Sequence, residues 1–130
     1  MKILIVEDEY AARAMIEFFL EPYGKIDSAA NGSEAVNFIK KSYEINEPYN
    51  LVCIDIRLPD MDGHEVLVEL KRMESDSGIP HSERTITFMT TALEDPKNVA
   101  RAFYNLCDEY LSKPVRKNEL DELIVRYKLV

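Results

Sequence analysis

The stretch that decides the fold is YNLVCIDIRLPDMDGHEVL, residues 49–67. It contains a continuous apolar run over residues 51–54, which is typical of a parallel strand buried on both faces. Asp55 follows that run, and after a short loop Asp62 has the features of a helix N-cap, with Glu65 three residues later. The stretch therefore predicts one strand–loop–helix unit with an aspartate at the carboxyl end of its strand.

The same unit recurs along the chain, which alternates between short apolar runs and amphipathic segments. The predicted strands are 3–6, 25–29, 49–54, 85–91 and 107–111. The predicted helices are 9–21, 31–43, 62–73, 95–106 and 117–128. Asn31 and Glu34 form a second capping pair, and the polar residues 74–84 are predicted to form a loop. This alternation predicts a parallel sheet with helices on both faces and right-handed crossovers.

Composition predicts an acidic globular protein of one domain. The chain has 130 residues, 46% of them hydrophobic, and a formal net charge of -8. A nucleic-acid surface normally carries a basic patch, so we expect no nucleic-acid partner. No apolar stretch approaches the roughly 18 residues of a membrane span, and no signal peptide is evident, so no membrane partner and a cytoplasmic location are expected. Cys53 and Cys107 are predicted to be reduced thiols.

Chemically reactive side chains stand at the ends of four predicted strands. The pair Glu7-Asp8 follows the first strand, and Asp55 follows the third. Thr91 ends the fourth strand, and Lys113 comes shortly after the fifth. Two carboxylates about 4 Å apart repel by about 4 kcal/mol at an effective dielectric of about 20, and a hard divalent cation such as Mg²⁺ relieves that repulsion. Three acids, a hydroxyl and a lysine in this pattern indicate a phosphoryl-transfer site.

The pattern resembles the receiver domain of two-component response regulators, and the resemblance runs from Lys2 to about Leu129. It implies an α/β fold, the flavodoxin-like (βα)5 three-layer sandwich, with a parallel sheet in the order 2-1-3-4-5. Strands 1 and 3 are then neighbours at the switch point of the sheet, where Glu7, Asp8 and Asp55 meet. A single receiver domain over residues 1–130 is expected, with no linker or output domain.

The resemblance also assigns roles to the residues of the site. Asp55 is the expected nucleophile, which becomes an aspartyl phosphate. Asp8 and Asp55 are expected to bind Mg²⁺ directly, Glu7 mostly through water, and Arg57 through its backbone carbonyl; Mn²⁺ is expected to substitute. Lys113 is expected to neutralise phosphoryl charge, and its bond to the following proline is expected to be cis.

A switch is implied by two further residues. The Thr91 hydroxyl is expected to bond to a phosphoryl oxygen, and Tyr110 is expected to change between outward and inward rotamers as Thr91 moves. The output surface is then the face made by residues 95–106, 107–111 and 117–128.

Some residues depart from the family pattern or stay outside the proposed site. Leu106-Cys107 stands where receivers usually have a small pair such as Gly-Ala, and the loop 74–84 is longer than usual. His64 and His81 are predicted to be ordinary surface histidines, because neither has a paired ligand.

The resulting functional prediction is a stand-alone response regulator, a switch that catalyses only its own phosphorylation and dephosphorylation. Its expected donor is a sensor histidine kinase or a histidine phosphotransfer protein, and its downstream protein partner is unidentified. Arg57 and Leu93 are expected to overhang the phosphoryl group and to slow its hydrolysis.

Three other classes of protein share parts of this residue pattern. A phosphorelay intermediate, which passes the phosphoryl group on to a histidine phosphotransfer protein, would have the same site and stays open. A haloacid dehalogenase-type phosphatase needs an acid two residues after its nucleophile, and that position is Arg57. A flavodoxin-like electron carrier needs a Ser/Thr/Gly-rich phosphate loop, and none follows the first strand.

Overall fold

The computed structural model describes residues 1–92 and 107–130, and at its centre is a five-stranded parallel sheet. The strands are β1 (Lys2–Val6), β2 (Lys25–Ala29), β3 (Leu51–Asp55), β4 (Ile86–Thr91) and β5 (Glu109–Ser112). Their spatial order is β2-β1-β3-β4-β5, which confirms the predicted flavodoxin-like order. β1 and β3 are neighbours, with Val6 opposite Ile54, so the carboxyl ends of these two strands lie side by side.

Four α-helices lie within the described ranges. They are α1 (Tyr10–Leu20), α2 (Gly32–Glu44), α3 (Gly63–Ser77) and α4 (Lys117–Arg126). Short 3₁₀ turns follow at Glu21–Tyr23 and His81–Glu83. None of the described helices is both long and apolar enough to span a membrane. The predicted helix 95–106 and Leu93 lie outside the described residues.

The sheet is covered on both faces, as its apolar strands predict. In β1, Leu4 and Val6 join the core formed with α2 and α3, whereas Ile3 and Ile5 join the core formed with α1 and α4. All four side chains are at most 1% exposed. A strand of alternating residues that serves two cores has no polar face, which explains the continuous apolar run in the sequence.

Both predicted N-caps are confirmed. The side chain of Asn31 accepts a hydrogen bond from the Glu34 N–H at 2.9 Å, and the side chain of Asp62 accepts one from the His64 N–H at 2.8 Å. These bonds satisfy N–H groups that have no partner within the helix, and they fix where α2 and α3 begin.

α2 has a further cap that comes from outside the helix. The carboxylate of Asp60 accepts hydrogen bonds from the N–H groups of Gly32 at 2.8 Å and Ser33 at 2.9 Å. These two bonds hold the pKa of Asp60 below its usual range. The loop between β3 and α3 is therefore tied to the first turn of α2.

The predicted end of the third helix, near Met73, is wrong. α3 continues to Ser77 and ends at Gly78, whose φ of 70° lies in the left-handed region. Glu74, predicted to begin a polar loop, is buried and accepts a hydrogen bond from the Thr85 N–H at 2.7 Å. Because Glu74 is charged, the sequence predicted that its side chain would be exposed to solvent. The side chain instead accepts a hydrogen bond from a backbone N–H just before β4.

Asp108 anchors the amino end of β5, immediately after Leu106-Cys107. Its carboxylate forms two hydrogen bonds with Arg84, at 3.0 and 2.7 Å, and accepts a third from the Thr87 N–H at 2.8 Å. Burial acts to raise the pKa of Asp108, but Arg84 and the Thr87 N–H outweigh it and hold that pKa below its usual range. Arg84, at the end of the segment between α3 and β4, thus supplies the cation that fixes the start of β5 against β4.

We expect Asp108→Asn to lower the free energy of unfolding near pH 7 by about 2 kcal/mol, because a charge-assisted pair is replaced by neutral bonds. The native pKa lies below the unfolded value of about 3.9, so this stabilisation is complete above that pH and is lost as the pH falls through the native pKa. Urea unfolding near pH 7 and near pH 3 measures the effect, and the gap between variant and wild type should narrow at the lower pH. Asp76→Asn, which removes an exposed partner of Arg72, is the control and should change little. A gap of the same size at both pH values would contradict the assignment.

Candidate functional site

The reactive side chains predicted from the sequence lie at the carboxyl ends of the strands. Glu7 directly follows β1, and its N–H extends the ladder to the carbonyl of Ala29 at 3.0 Å. Asp55 is the last residue of β3 and Thr91 the last of β4. Lys113 directly follows β5, and its N–H donates to the carbonyl of Thr91 at 2.8 Å. Open parallel sheets place their ligand sites at this edge.

Glu7, Asp8 and Asp55 form a cluster of three acids. One carboxylate oxygen of each residue lies within 4.8 Å of the other two. Glu7 and Asp55 are buried, with 1% and 5% of their surface exposed, whereas Asp8 is exposed. The cluster can therefore present three oxygen ligands to one cation at the boundary between core and solvent.

Lys113 joins the two buried acids. Its Nζ lies 3.0 Å from Oδ2 of Asp55 and 2.5 Å from Oε1 of Glu7. The peptide bond between Lys113 and Pro114 is cis, as the resemblance implied. The lysine thus stands beside both the expected nucleophile and a neighbouring acid.

The electrostatics of the cluster favour additional positive charge. Burial raises the pKa of Glu7 to about 7, against the opposing effect of Lys113 and with a further contribution from Asp55. Burial acts to lower the pKa of Lys113, but its bonds to Glu7 and Asp55 outweigh it and raise that pKa above its usual value. Lys113 therefore does not compensate for the burial of the Glu7 carboxylate. Oxygen ligands around an excess of negative charge fit a hard divalent cation such as Mg²⁺.

The backbone of Arg57 lies beside the carboxylate of Asp55. Its N–H donates to Oδ1 of Asp55 at 3.2 Å, and its backbone forms an isolated bridge with Asp62. The guanidinium belongs to an exposed residue. The loop after β3 is therefore bound directly to the carboxylate of Asp55.

Tyr110 is half-buried on β5 and packs against the core under α2 and α3. Its hydroxyl lies 3.2 Å from Nε2 of His64. The ring therefore lies inward in this structure, on the same side of the sheet as the first turn of α3.

The prediction that His64 is a surface histidine is wrong, because only 3% of its surface is exposed. α3 begins close under β3, where the Gly63 N–H donates to the carbonyl of Ile56 at 2.7 Å, so the first turn faces inward. The sequence contains a signal for this: the apolar stripe of α3 includes Leu67, and three residues before it on the same helix face is His64. His81 is exposed, as predicted.

Comparison with known proteins identifies the family that this sequence matches. Residues 3–125 match the family model of the response regulator receiver domain. The regulatory protein VanRB of Enterococcus faecalis is 37% identical over 117 residues, which are 89% of this chain and 47% of that protein. The chain spans about half the length or less of the first curated relatives it matches.

Two solved structures are similar over almost the whole chain. One is a chain of the co-crystal structure of the Saccharomyces cerevisiae histidine phosphotransfer protein Ypd1 and the receiver domain of Ssk1, with a TM-score of 0.82, 27% identity, and coverage of 98% of this chain and 88% of that one. The other is the receiver domain of the sensor histidine kinase PA1611 from Pseudomonas aeruginosa, with a TM-score of 0.75, 26% identity, and coverage of 97% and 95%. On the family match, the fold and the acid cluster together, this chain belongs to the response regulator receiver domain family.

Proposed function

We propose that Asp55 is the residue that accepts the phosphoryl group in this receiver domain, a phosphoacceptor of two-component signal transduction. The observation that carries the proposal is the position of its carboxylate, which is buried at a strand end, 3.0 Å from Nζ of Lys113 and next to Glu7 and Asp8. A carboxylate in such a place can attack phosphorus while the surrounding charges neutralise the transferred group.

The proposed step is the transfer of a phosphoryl group from a phosphohistidine. A carboxylate oxygen of Asp55 forms a bond to phosphorus, the phosphorus–nitrogen bond breaks, and the released imidazole keeps the electron pair and takes up a proton. Phosphoryl transfer needs positioning and charge neutralisation more than covalent help. Lys113 is already bonded to Asp55 and is placed to pair with the incoming phosphoryl oxygens, and the Thr91 hydroxyl is proposed to bind one of them.

Mg²⁺ is the proposed cofactor, held by Glu7, Asp8, Asp55 and the backbone carbonyl of Arg57, with Mn²⁺ as a substitute. When bound, the ion would neutralise charge on the phosphoryl oxygens. The cluster of oxygen ligands supports this assignment, and the similar PA1611 receiver domain has a magnesium ion coordinated in its active site cleft.

The proposed donor is a sensor histidine kinase or a histidine phosphotransfer protein. The similar Ssk1 receiver domain was crystallised with such a phosphotransfer protein, Ypd1. A receiver that passes its phosphoryl group on to another histidine would use the same residues, so a phosphorelay role remains the second candidate. As a receiver domain the chain is a signalling switch rather than a classical enzyme, and we propose that it catalyses only its own phosphorylation and dephosphorylation.

The direct test is incubation of the protein with acetyl phosphate, followed by intact-mass spectrometry. A single phosphoryl adduct is expected with Mg²⁺ or Mn²⁺, because the charge on the transferred group must be neutralised at the acid cluster. The same incubation with a chelator in excess is the control and should give no adduct. Equal amounts of adduct with and without the metal would show that the acid cluster does not act through a cation.

Thr91→Ala and Lys113→Ala are expected to separate phosphorylation from output. Loss of a hydrogen bond to the charged phosphoryl group, worth about 1.5 kcal/mol, should lower the ratio of active to inactive protein about tenfold while the adduct still forms. Amide shifts at residues 107–111 and 117–128 after activation with beryllofluoride measure the output, and they should shrink in both variants.

Thr90→Ala is the matched control for Thr91→Ala. Thr90 is the neighbouring residue of β4, is equally buried at 2% exposure, and its side chain points to the opposite face of the sheet. Its loss should leave the beryllofluoride-induced shifts in place. Shifts that were as large in Thr91→Ala as in the wild type would remove Thr91 from the switch.

A further inference from the structure

We propose that His64 is a positioning residue for Tyr110, whose imidazole, oriented by Asp62, accepts a hydrogen bond from the Tyr110 hydroxyl and holds that ring inward. The contact itself is observed in the structure and does not depend on the proposed function. The consequence for signalling rests on the proposed function, because it assumes that the rotamer of Tyr110 reports the state of the site.

Asp62 determines which ring nitrogen of His64 carries the proton. Oδ1 of Asp62 lies 2.8 Å from Nδ1 of His64 and also accepts the backbone N–H of His64 at 2.8 Å. A carboxylate can only accept, so Nδ1 is the protonated nitrogen. In the neutral ring, Nε2 is then the nitrogen that carries the lone pair, and it can accept a hydrogen bond.

Tyr110 is the donor that meets this electron pair. Its hydroxyl oxygen lies 3.2 Å from Nε2 of His64, and the two ring centroids are 6.2 Å apart. Burial raises the pKa of Tyr110, and the neighbouring Cys107 and Asp62 raise it further, so the hydroxyl keeps its proton. The three residues therefore form a chain of hydrogen bonds in which each donor faces an acceptor.

These hydrogen bonds start at Asp62, in the loop that follows the proposed phosphoacceptor Asp55. Arg57 is bonded to the carboxylate of Asp55 through its N–H and bridges Asp62 through its backbone. Asp62 is half exposed, with 47% of its side chain accessible, whereas His64 is buried. A displacement of the loop would therefore change the hydrogen bond from His64 Nδ1 to Asp62. The imidazole would then turn, and the Tyr110 hydroxyl bonded to it would move.

The contact can be tested directly, because the chain has two histidines and His81 is exposed. Long-range ¹H–¹⁵N spectra near pH 8, where an ordinary histidine is neutral, distinguish the two ring nitrogens of each. We expect His64 to have a protonated Nδ1 and a hydrogen-bonded Nε2. In Tyr110→Phe the Nε2 signal of His64 should shift from its wild-type position, because the Tyr110 hydroxyl is removed, and the His81 signals should stay in place. An unchanged Nε2 signal, or a proton on Nε2 in the wild type, would overturn the proposal.

A pair of variants tests whether the bond positions Tyr110. His64→Leu keeps a buried side chain but removes the acceptor, and we expect the inward-to-outward ratio of Tyr110 to fall about fivefold, the effect of one hydrogen bond. His64→Gln can place an amide oxygen near the position of Nε2 and should restore most of the ratio. The Tyr110 ring signals, assigned with Tyr110→Phe, provide the measurement. Equal ratios in all three proteins would refute the positioning role.

The outcomes separate this proposal from the proposed function. If acetyl phosphate gives no adduct on the wild type, the function fails, but the histidine spectra still decide the contact. If the adduct forms and the Nε2 signal ignores Tyr110→Phe, the positioning role fails alone. If His64→Leu does not fold, Tyr110→Phe and His64→Gln still decide the question.

Discussion

Replacing Asp55 with asparagine is expected to abolish the phosphoryl adduct that acetyl phosphate forms on the wild type. The amide keeps the shape of the side chain and an oxygen that can accept the Arg57 N–H, but it has no anionic oxygen to attack phosphorus. It also removes one acid from a crowded cluster, so the fold should persist and the loss should be chemical. Intact-mass spectrometry after incubation with Mg²⁺ measures the adduct, and circular dichroism checks the fold.

Asp60→Asn is the matched control for this result. Asp60 lies five residues further on and is exposed, and its carboxylate caps α2 rather than joining the acid cluster. The Asp60 variant should therefore form the adduct as the wild type does. A full adduct in Asp55→Asn, or its loss in Asp60→Asn, would place the phosphoryl group elsewhere.

Gly63→Ala is expected to lower the free energy of unfolding by about 3 kcal/mol, at the upper end for an overpacked core. A Cβ atom at Gly63 would lie 2.3 Å from the backbone oxygen of Asp55 and 3.0 Å from Cα of Ile56. Both are backbone atoms, so either the end of β3 or the start of α3 must move. Because the nearest of these atoms is the backbone oxygen of Asp55, a displacement of the end of β3 would move the nucleophile, and we expect phosphorylation to slow as stability falls. Urea unfolding and the rate of adduct formation measure the two effects.

Gly32→Ala provides the comparison. A Cβ atom at Gly32 would meet the side chain of Met61, with the nearest atom at 2.2 Å, and that flexible side chain can rotate away. The cost should therefore stay below about 1 kcal/mol. Equal losses in the two variants would show that the backbone contact at Gly63 is not special.

The sheet could be predicted because its strands are local apolar runs. β1 and β3 are buried on both faces, and such runs are visible without any knowledge of distant contacts. The end of α3 could not be predicted in the same way. Glu74 is buried because it meets Thr85, eleven residues away, and Asp108 is ordered by Arg84, twenty-four residues away. A charged residue gives no local sign that its partner is elsewhere in the chain.

In the site, too, some features follow from local sequence and others depend on distant contacts. The positions of Glu7, Asp8 and Asp55 follow from strand ends once the sheet order is known, and the structure brings all three together. The bonds from Lys113 to both Glu7 and Asp55 join residues 106 and 58 positions apart, so their geometry depends on the whole sheet. His64 was missed because a histidine in a first helical turn usually faces solvent.

The cap that Asp60 places on α2 has a consequence for how loop movement is observed. A helix end that depends on a neighbouring loop frays when that loop moves, and its first amides then exchange with solvent. Gly32 and Ser33 donate to Asp60, and Asp60 lies five residues after Asp55 in the same loop. The hydrogen exchange rates of these two amides are therefore expected to report movement of the loop beside the phosphoacceptor, although α2 itself carries no residue of the acid cluster.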